Sequence, residues 1–355
     1  MSQDFNGTKP VDERQQFDVA RLEQYLKEKV AGFQGPLTVE QFKGGQSNPT
    51  FKLKTPGKHY VLRRKPAGKL LASAHAVDRE YKVITALQGS DVPVAKTHVL
   101  CEDDSVIGTA FYVMDCVEGR IMWDPALPGM EPAERTAIFT EMNRVIAALH
   151  QVDYATRGLA DYGKPGNYFM RQIDRWTKQY RASETRRIES FENLMLWLPK
   201  NIPAGDETSI VHGDYRLDNM IFHPTEPRVL AVLDWELSTL GHPLADFSYH
   251  CMTWHIPKGV FRGLGGAKLA DLGIPSESEH VANYCKRVGR APINPSDWDF
   301  YMAYNLFRLG AILQGIAGRV KDGTAASAQA KAMGDAAGPL ADLGWAQVEK
   351  ILSRR

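Results

Sequence analysis

The chain has 355 residues, 43% of them hydrophobic and 24% charged, and its 43 Lys plus Arg nearly cancel its 42 Asp plus Glu. That length allows two lobes around a sizeable core, and the charge balance argues against a broadly basic nucleic-acid binder. No run approaches the eighteen apolar residues a membrane span needs, the N-terminus lacks a secretory pattern, and the four cysteines are too dispersed for a metal site, so a reducing cytosol is expected.

Residues 1–11 read as a loose tail. From Phe17 onward, Phe17, Leu22, Leu26, Val30 and Phe33 recur at helical spacing. Strands are expected at Leu37–Phe42, Thr50–Thr55 and Tyr60–Arg64, with Pro56-Gly57 turning the last two into a hairpin. A helix follows around Ala76–Leu87, ended by Gly89 and Pro93, and then strands at Thr97–Cys101 and Ala110–Val113. After a connector near Met114–Gly119 the pattern turns mostly helical, with one amphipathic face marked by Ile138, Met142, Val145, Ile146 and Leu149. Short strands return only around Ser209–Val211, Met220–Phe222 and Val229–Leu233, and an Ala/Gly-rich stretch at 323–338 suits either a small-residue helix pair or a mobile connector. The expectation is an α+β protein: a small antiparallel-sheet lobe with a helix over 1–115, and a larger, mainly helical lobe over 116–355.

The chemistry concentrates in Val211-His212-Gly213-Asp214-Tyr215-Arg216-Leu217-Asp218-Asn219, followed by Leu233-Asp234-Trp235-Glu236. Kinase-type phosphoryl transfer needs a carboxylate for the acceptor hydroxyl, with an Asn and an Asp to hold magnesium, and Asp214, Asn219 and Asp234 have that order and spacing. His212 is expected to brace the loop, Asp218 to form a turn, and Asp246 to accept backbone hydrogen bonds that steady the loop. Upstream, Gly44-Gly45-Gln46-Ser47-Asn48 offers backbone N–H groups and a hydroxyl to phosphates. Strand alternation puts Arg63 and Lys65 on one face and Arg64 on the other. Arg63 is the first choice for the phosphate-gripping cation, because its fork matches phosphate bidentately, and Lys65 is the second. Glu80, on the next helix, is placed to orient it, and Met114 and Cys116, at the start of the connector, complete the expected nucleotide-binding set.

These segments resemble the aminoglycoside phosphotransferase family, which includes choline and homoserine kinases. The resemblance covers roughly residues 40–250 through GGQSN (44–48), YVLRR (60–64), VHGDYRLDN (211–219), LDWE (233–236) and DFSY (246–249). RRKPAGKLLASAHAVDREY and LDWELSTLGHPLADFSYH are similar, more narrowly, to the kinase-like domain fused to some acyl-CoA dehydrogenases. The resemblance implies a bilobal protein-kinase-like fold, ATP and Mg2+ as cofactors, and phosphorylation of a hydroxyl on a small molecule. Arg63 stands where the usual residue is Lys. Nothing in these residues supports flavin chemistry, so a dehydrogenase label would come from the fusion alone.

Basic residues at 171–187 and 258–290, with Trp176, Tyr180, Trp197, Trp254 and His255 nearby, point away from an aminoglycoside and toward an anionic acceptor with an apolar part, such as a hydroxyacyl-CoA. The alternative is a nucleotide-binding pseudokinase or regulatory module without turnover. A protein kinase acting on polypeptides ranks last, since no Ala-Pro-Glu follows Asp234.

Overall fold

The strand-like runs up to residue 115 form one antiparallel sheet, in a computed structural model that describes residues 7–43, 48–66, 76–323 and 330–354. Two compact units are present. One is drawn from Met1–Ile121, Ala155–Tyr162 and Asn219–Ser238, the other from Met122–Tyr154, Gly163–Asp218 and Thr239–Arg355. Each therefore uses chain from both sides of residue 116.

In the first unit the elements are β1 (Thr8–Lys9), α1 (Val19–Lys29), β2 (Thr38–Phe42), β3 (Thr50–Lys54), β4 (His59–Arg64), α2 (Val77–Leu87), β5 (Thr97–Cys101) and β6 (Phe111–Asp115). The sheet order is β1-β2-β3-β4-β6-β5, antiparallel throughout. Alternation decides what each strand buries. Phe51 and Leu53 of β3 and Tyr60 and Leu62 of β4 join Leu22 and Leu26 of α1 in the core. The N-terminus of α1 is capped by Asp18, whose side chain accepts from Arg21 N at 2.9 Å. Arg64 ends on the core side, its guanidinium 5.1 Å from the ring centres of both Phe17 and Phe51 and donating to Gln15 O at 2.9 Å. Arg63 therefore faces the other way. A hairpin of Met220–Phe222 with Val229–Val232 completes this unit. It is tied in by Val232 N donating to Pro93 O at 2.9 Å and by the reciprocal 2.8 Å pair between Arg120 and Phe222.

The second unit holds α3 (Pro132–Gln151), α4 (Tyr168–Ser183), α5 (Glu189–Trp197), α6 (Pro243–Cys251), α7 (Leu269–Leu272), α8 (Glu277–Val288), α9 (Pro295–Lys321), α10 (Ala330–Asp335) and α11 (Ala337–Ser353). Ser209–Val211 pairs antiparallel with Thr239–Gly241. Along α9 almost every residue from Asp299 to Gly315 is buried, as expected of a helix covered on all sides, and it packs against α4, α10 and α11. Small residues allow that approach: a Cβ on Gly334 would lie 2.8 Å from Ala317 Cα. The described part of the Ala/Gly-rich stretch from Ala330 on thus falls in α10 and the start of α11, both packed against α9.

Three local expectations need correction. Thr8–Lys9 is a two-residue edge strand paired with Gln41 and Phe42, not loose tail, and is too short to show a period. Met114 and Asp115 belong to β6, paired with Val61 and Tyr60, so the strand runs two residues into the expected connector. Thr239–Gly241 was not foreseen as a strand, because three residues carry no periodic signal.

Candidate active site

In the helical unit the HGD loop is held from below by a buried carboxylate. Asp246, at the start of α6, accepts from His212 N and Gly213 N at 2.8 Å each, and His150 Nε2 lies 3.2 Å from its Oδ2. Burial alone would push the Asp246 carboxyl up, but His150 and these hydrogen bonds outweigh it and hold the carboxyl below its ordinary value. The loop-bracing role expected of Asp246 has this geometry. Gly213 takes a left-handed backbone, φ 84°, where a side chain would be strained, and its carbonyl accepts from the buried Arg308 Nη2 at 2.6 Å. His212 also braces the loop, its Nδ1 accepting from Asp214 N at 3.2 Å.

Asp214 is oriented by two groups. The Tyr249 hydroxyl donates to Oδ1 at 2.6 Å, and Arg216 Nη2 lies 3.0 Å from Oδ2. The charges continue as a chain: Arg216 is 3.6 Å from Asp218, which is 2.9 Å from Arg262 Nη1. Burial raises the Asp218 carboxyl against the pull of these two arginines. Asp218 is therefore part of an ion-pair chain rather than a simple turn former. Arg216, Asp218, Tyr249 and Arg262 line a cavity of about 60 Å³ whose other walls include Trp123, Phe139 and Ile256.

No individual role was expected of Tyr249 or Arg216, and Arg262 was foreseen only as one of the basic residues of 258–290. The DFSY and HGDYR segments held a signal for the first two. The pairing of Arg262 with Asp218 had no local signal, since only the turn after α6 brings the two together. The basic run on α4 does not line this cavity. Lys178 pairs with Asp174 at 2.7 Å, Arg181 with Glu192 at 2.6 Å, and Arg171 donates to backbone carbonyls. Of the basic residues in the two expected segments, Arg262 is the one that lines this cavity.

In the sheet unit, Arg63 sits among three carboxylates. Its Nε is 2.8 Å from Glu80 Oε2, and its Nη2 donates to Asp234 Oδ1 at 2.9 Å and reaches Glu236 Oε2 at 3.5 Å. Burial works against the guanidinium's charge, but Glu80, Tyr112, Asp234 and Glu236 together raise its proton affinity. Glu80 is itself fixed, accepting from Asn48 Nδ2 at 2.7 Å and from the Tyr112 hydroxyl at 3.0 Å. Burial pushes the Glu80 carboxyl up, with Arg63 opposing. Asp234 has φ 62° and ψ 61°, a left-handed conformation uncommon outside glycine and of the kind found at functional turns. Leu233 N donates to Asn219 O at 2.8 Å, which brings Asn219 beside the Asp234 turn.

Lys65, the second choice, lies 3.8 Å from Asp78 and is more exposed than Arg63. Met114 is buried in β6, and Cys116, whose thiol burial pushes up, donates its N–H to His59 O at 3.2 Å. Gly44, Gly45 and Ser47 lie outside the described residues.

An antiparallel sheet unit with an Arg–Glu pair, and a helical unit with an HGD loop, define a kinase-like phosphotransferase fold. The chain belongs to the phosphotransferase enzyme family, whose pattern matches residues 38–279. It is 61% identical to a Ralstonia eutropha protein provisionally named an aminoglycoside phosphotransferase, whose crystal structure covers 94% of this chain and 99% of its own with a TM-score of 0.88. It is 46% identical over 342 residues to mouse acyl-CoA dehydrogenase family member 10, covering 96% of this chain but 32% of that protein. The chain thus spans about a third of that longer relative. Aminoglycoside phosphotransferase APH(4)-Ia, in a ternary complex with ADP and hygromycin B, shares the fold at 16% identity with a TM-score of 0.59, over 92% of this chain and 98% of its own.

Proposed function

We propose that this chain is an ATP- and magnesium-dependent kinase that phosphorylates a hydroxyl of a small acceptor with an apolar body and an anionic group, such as a hydroxyacyl-CoA, rather than an aminoglycoside. The observation that carries the reading is Asp214: a carboxylate aimed by Tyr249 and Arg216, two residues that also line an aromatic cavity. In that role Asp214 takes the proton of the acceptor hydroxyl as its oxygen bonds to the γ-phosphorus and the bond to the leaving ADP breaks. Arg63, with Glu80 behind it, supplies the cation for the phosphates. Nucleotide use is supported by the ADP-bound relative of the same fold.

The residues present fit magnesium. Asp234 and Asn219 would hold it, both through oxygen, the donor type this ion prefers. Among the described residues no group of three or more His, Cys, Asp or Glu side chains makes a metal cage. That suits an ion usually held by one or two carboxylates together with phosphate oxygens. When bound, the ion would neutralise charge on the phosphates.

For the acceptor, the aromatic walls support an apolar body, and Arg216 and Arg262 support an anionic group. Asp214 and Asp218 balance these arginines, so the cavity is not the acidic pocket a polycationic aminoglycoside would favour. The test is ADP release with magnesium across a panel of hydroxyacyl-CoAs and aminoglycosides, in the wild type and in Asp214→Ala. The variant is expected to lose ~10²–10⁴-fold in rate while still binding ADP. Unchanged turnover would remove Asp214 from its role, absence of turnover with every acceptor would favour a nucleotide-binding pseudokinase, and faster turnover of aminoglycosides would overturn the acceptor class.

A further inference from the structure

We propose that Arg63 is an internal counter-cation for Asp234, competing with a divalent metal for that carboxylate until a nucleotide draws the guanidinium away. The inference rests on the reading that Asp234 is a metal ligand, and goes beyond it by coupling metal and nucleotide binding through one side chain.

The two ends of the Arg63 fork differ. At the Nε end, Glu80 is almost wholly buried and fixed by Asn48 and Tyr112, so that contact has little freedom to open. At the Nη2 end, Asp234 is about a third exposed and Glu236 a quarter, and the contact to Glu236 is long. The guanidinium is thus anchored on one side and releasable on the other. A lysine here would present a single ammonium, able to answer Glu80 but without a second arm to span to Asp234. The arginine is what joins the helix carboxylate to the turn carboxylate.

A divalent ion binding Asp234 Oδ1 meets a positive group already 2.9 Å from the same oxygen, so without nucleotide the two cations repel across one carboxylate. Nucleotide phosphates give the guanidinium another partner of matching fork geometry and higher negative charge. Once it turns to them, Asp234 is released to the metal. Metal and nucleotide then each favour the other's binding, as linkage requires.

The experiment uses the full chain and Mn2+ as the probe, with free Mn2+ read by its electron paramagnetic resonance signal and no turnover required. Arg63→Lys keeps the buried charge beside Glu80, and the paired Arg63→Gln/Glu80→Gln removes both charges together, so a folding defect in one does not decide the result. Both are expected to bind Mn2+ about tenfold more tightly than the wild type without nucleotide. Both should also show a smaller gain on adding ADP, after correction for Mn2+ held by ADP itself. Asp234→Asn is the reference and should lose nucleotide-free binding. If it does so while both Arg63 variants match the wild type, the competition is wrong and the ligand assignment stands. If Asp234→Asn binds Mn2+ as the wild type does, the ligand assignment falls and the competition falls with it.

Discussion

Replacing Asp246 with Asn changes one oxygen for an amide group and removes one buried charge. In the wild type both carboxylate oxygens are used, one by His212 N and one by Gly213 N, at 2.8 Å each, with His150 3.2 Å away. Asparagine can accept one of those N–H groups but must point its own N–H₂ at the other, leaving a buried donor facing a donor. Hydrogen bonds to a charged group contribute ~1.5–3 kcal/mol each, and breaking a buried charged network by removing one partner costs ~3–5 kcal/mol. We expect a loss in that range, which for a domain of ~150–250 residues lowers Tm by roughly 6–20 °C. The pH dependence has a definite sign. The folded carboxyl is held below its unfolded value of about 3.9, so its contribution is complete above that pH and disappears as pH falls through the folded value. The gap between wild type and Asp246→Asn should therefore be widest near neutrality and narrow in acid below about pH 4. Calorimetry from pH 7 to 3, with ADP release assayed in parallel, measures both. A variant within about 2 °C of the wild type at pH 7, a shift too small for the loss of a buried network, would refute the bracing role.

His250 packs beside His280, with Nε2 atoms 3.1 Å apart, and burial holds His250 down to about 4 despite Asp246. As pH falls from about 6.5 toward 4 the unfolded chain takes up this proton first, so stability drops by at most ~1.4 kcal/mol per pH unit for that proton. His250→Gln should flatten the loss seen between pH 7 and 5 in urea titrations, and an unchanged loss would exclude His250 as a source. Gly119 lies against the hairpin that leads into the Asp234 turn, where a Cβ would sit 2.2 Å from Phe222 O and 2.6 Å from Ile221 Cγ2. Gly119→Ala should cost ~1–3 kcal/mol through overpacking and lower the urea midpoint, whereas a midpoint equal to wild type would mean that the backbone there yields freely.

Much of this was legible in the sequence because the signals were local. Alternation placed Arg63 and Arg64 on opposite faces of β4, and the structure sends Arg64 to the Phe17 and Phe51 rings and Arg63 to Glu80. The HGDxxxxN spacing and the later LDWE pointed to Asp214, Asn219 and Asp234, the residues given roles in the proposed function. A local count served the acceptor reading less well, because the basic run on α4 does not line the cavity. A count of basic residues on α4 cannot tell that Lys178 and Arg181 are neutralised by Asp174 and Glu192 on the surface.

Sequence alone determined most of the order of elements, the helical period of α1 and the alternation of β3 and β4, and it marked the residues proposed here to carry phosphoryl transfer. Tertiary structure decided which distant groups meet: Asp246 under the HGD loop, Arg262 on Asp218, Arg308 on the Gly213 carbonyl, and one guanidinium shared by Glu80 and Asp234. Period and turn chemistry follow from neighbouring residues. Charge pairing between residues tens to more than a hundred positions apart depends on packing that no local pattern records.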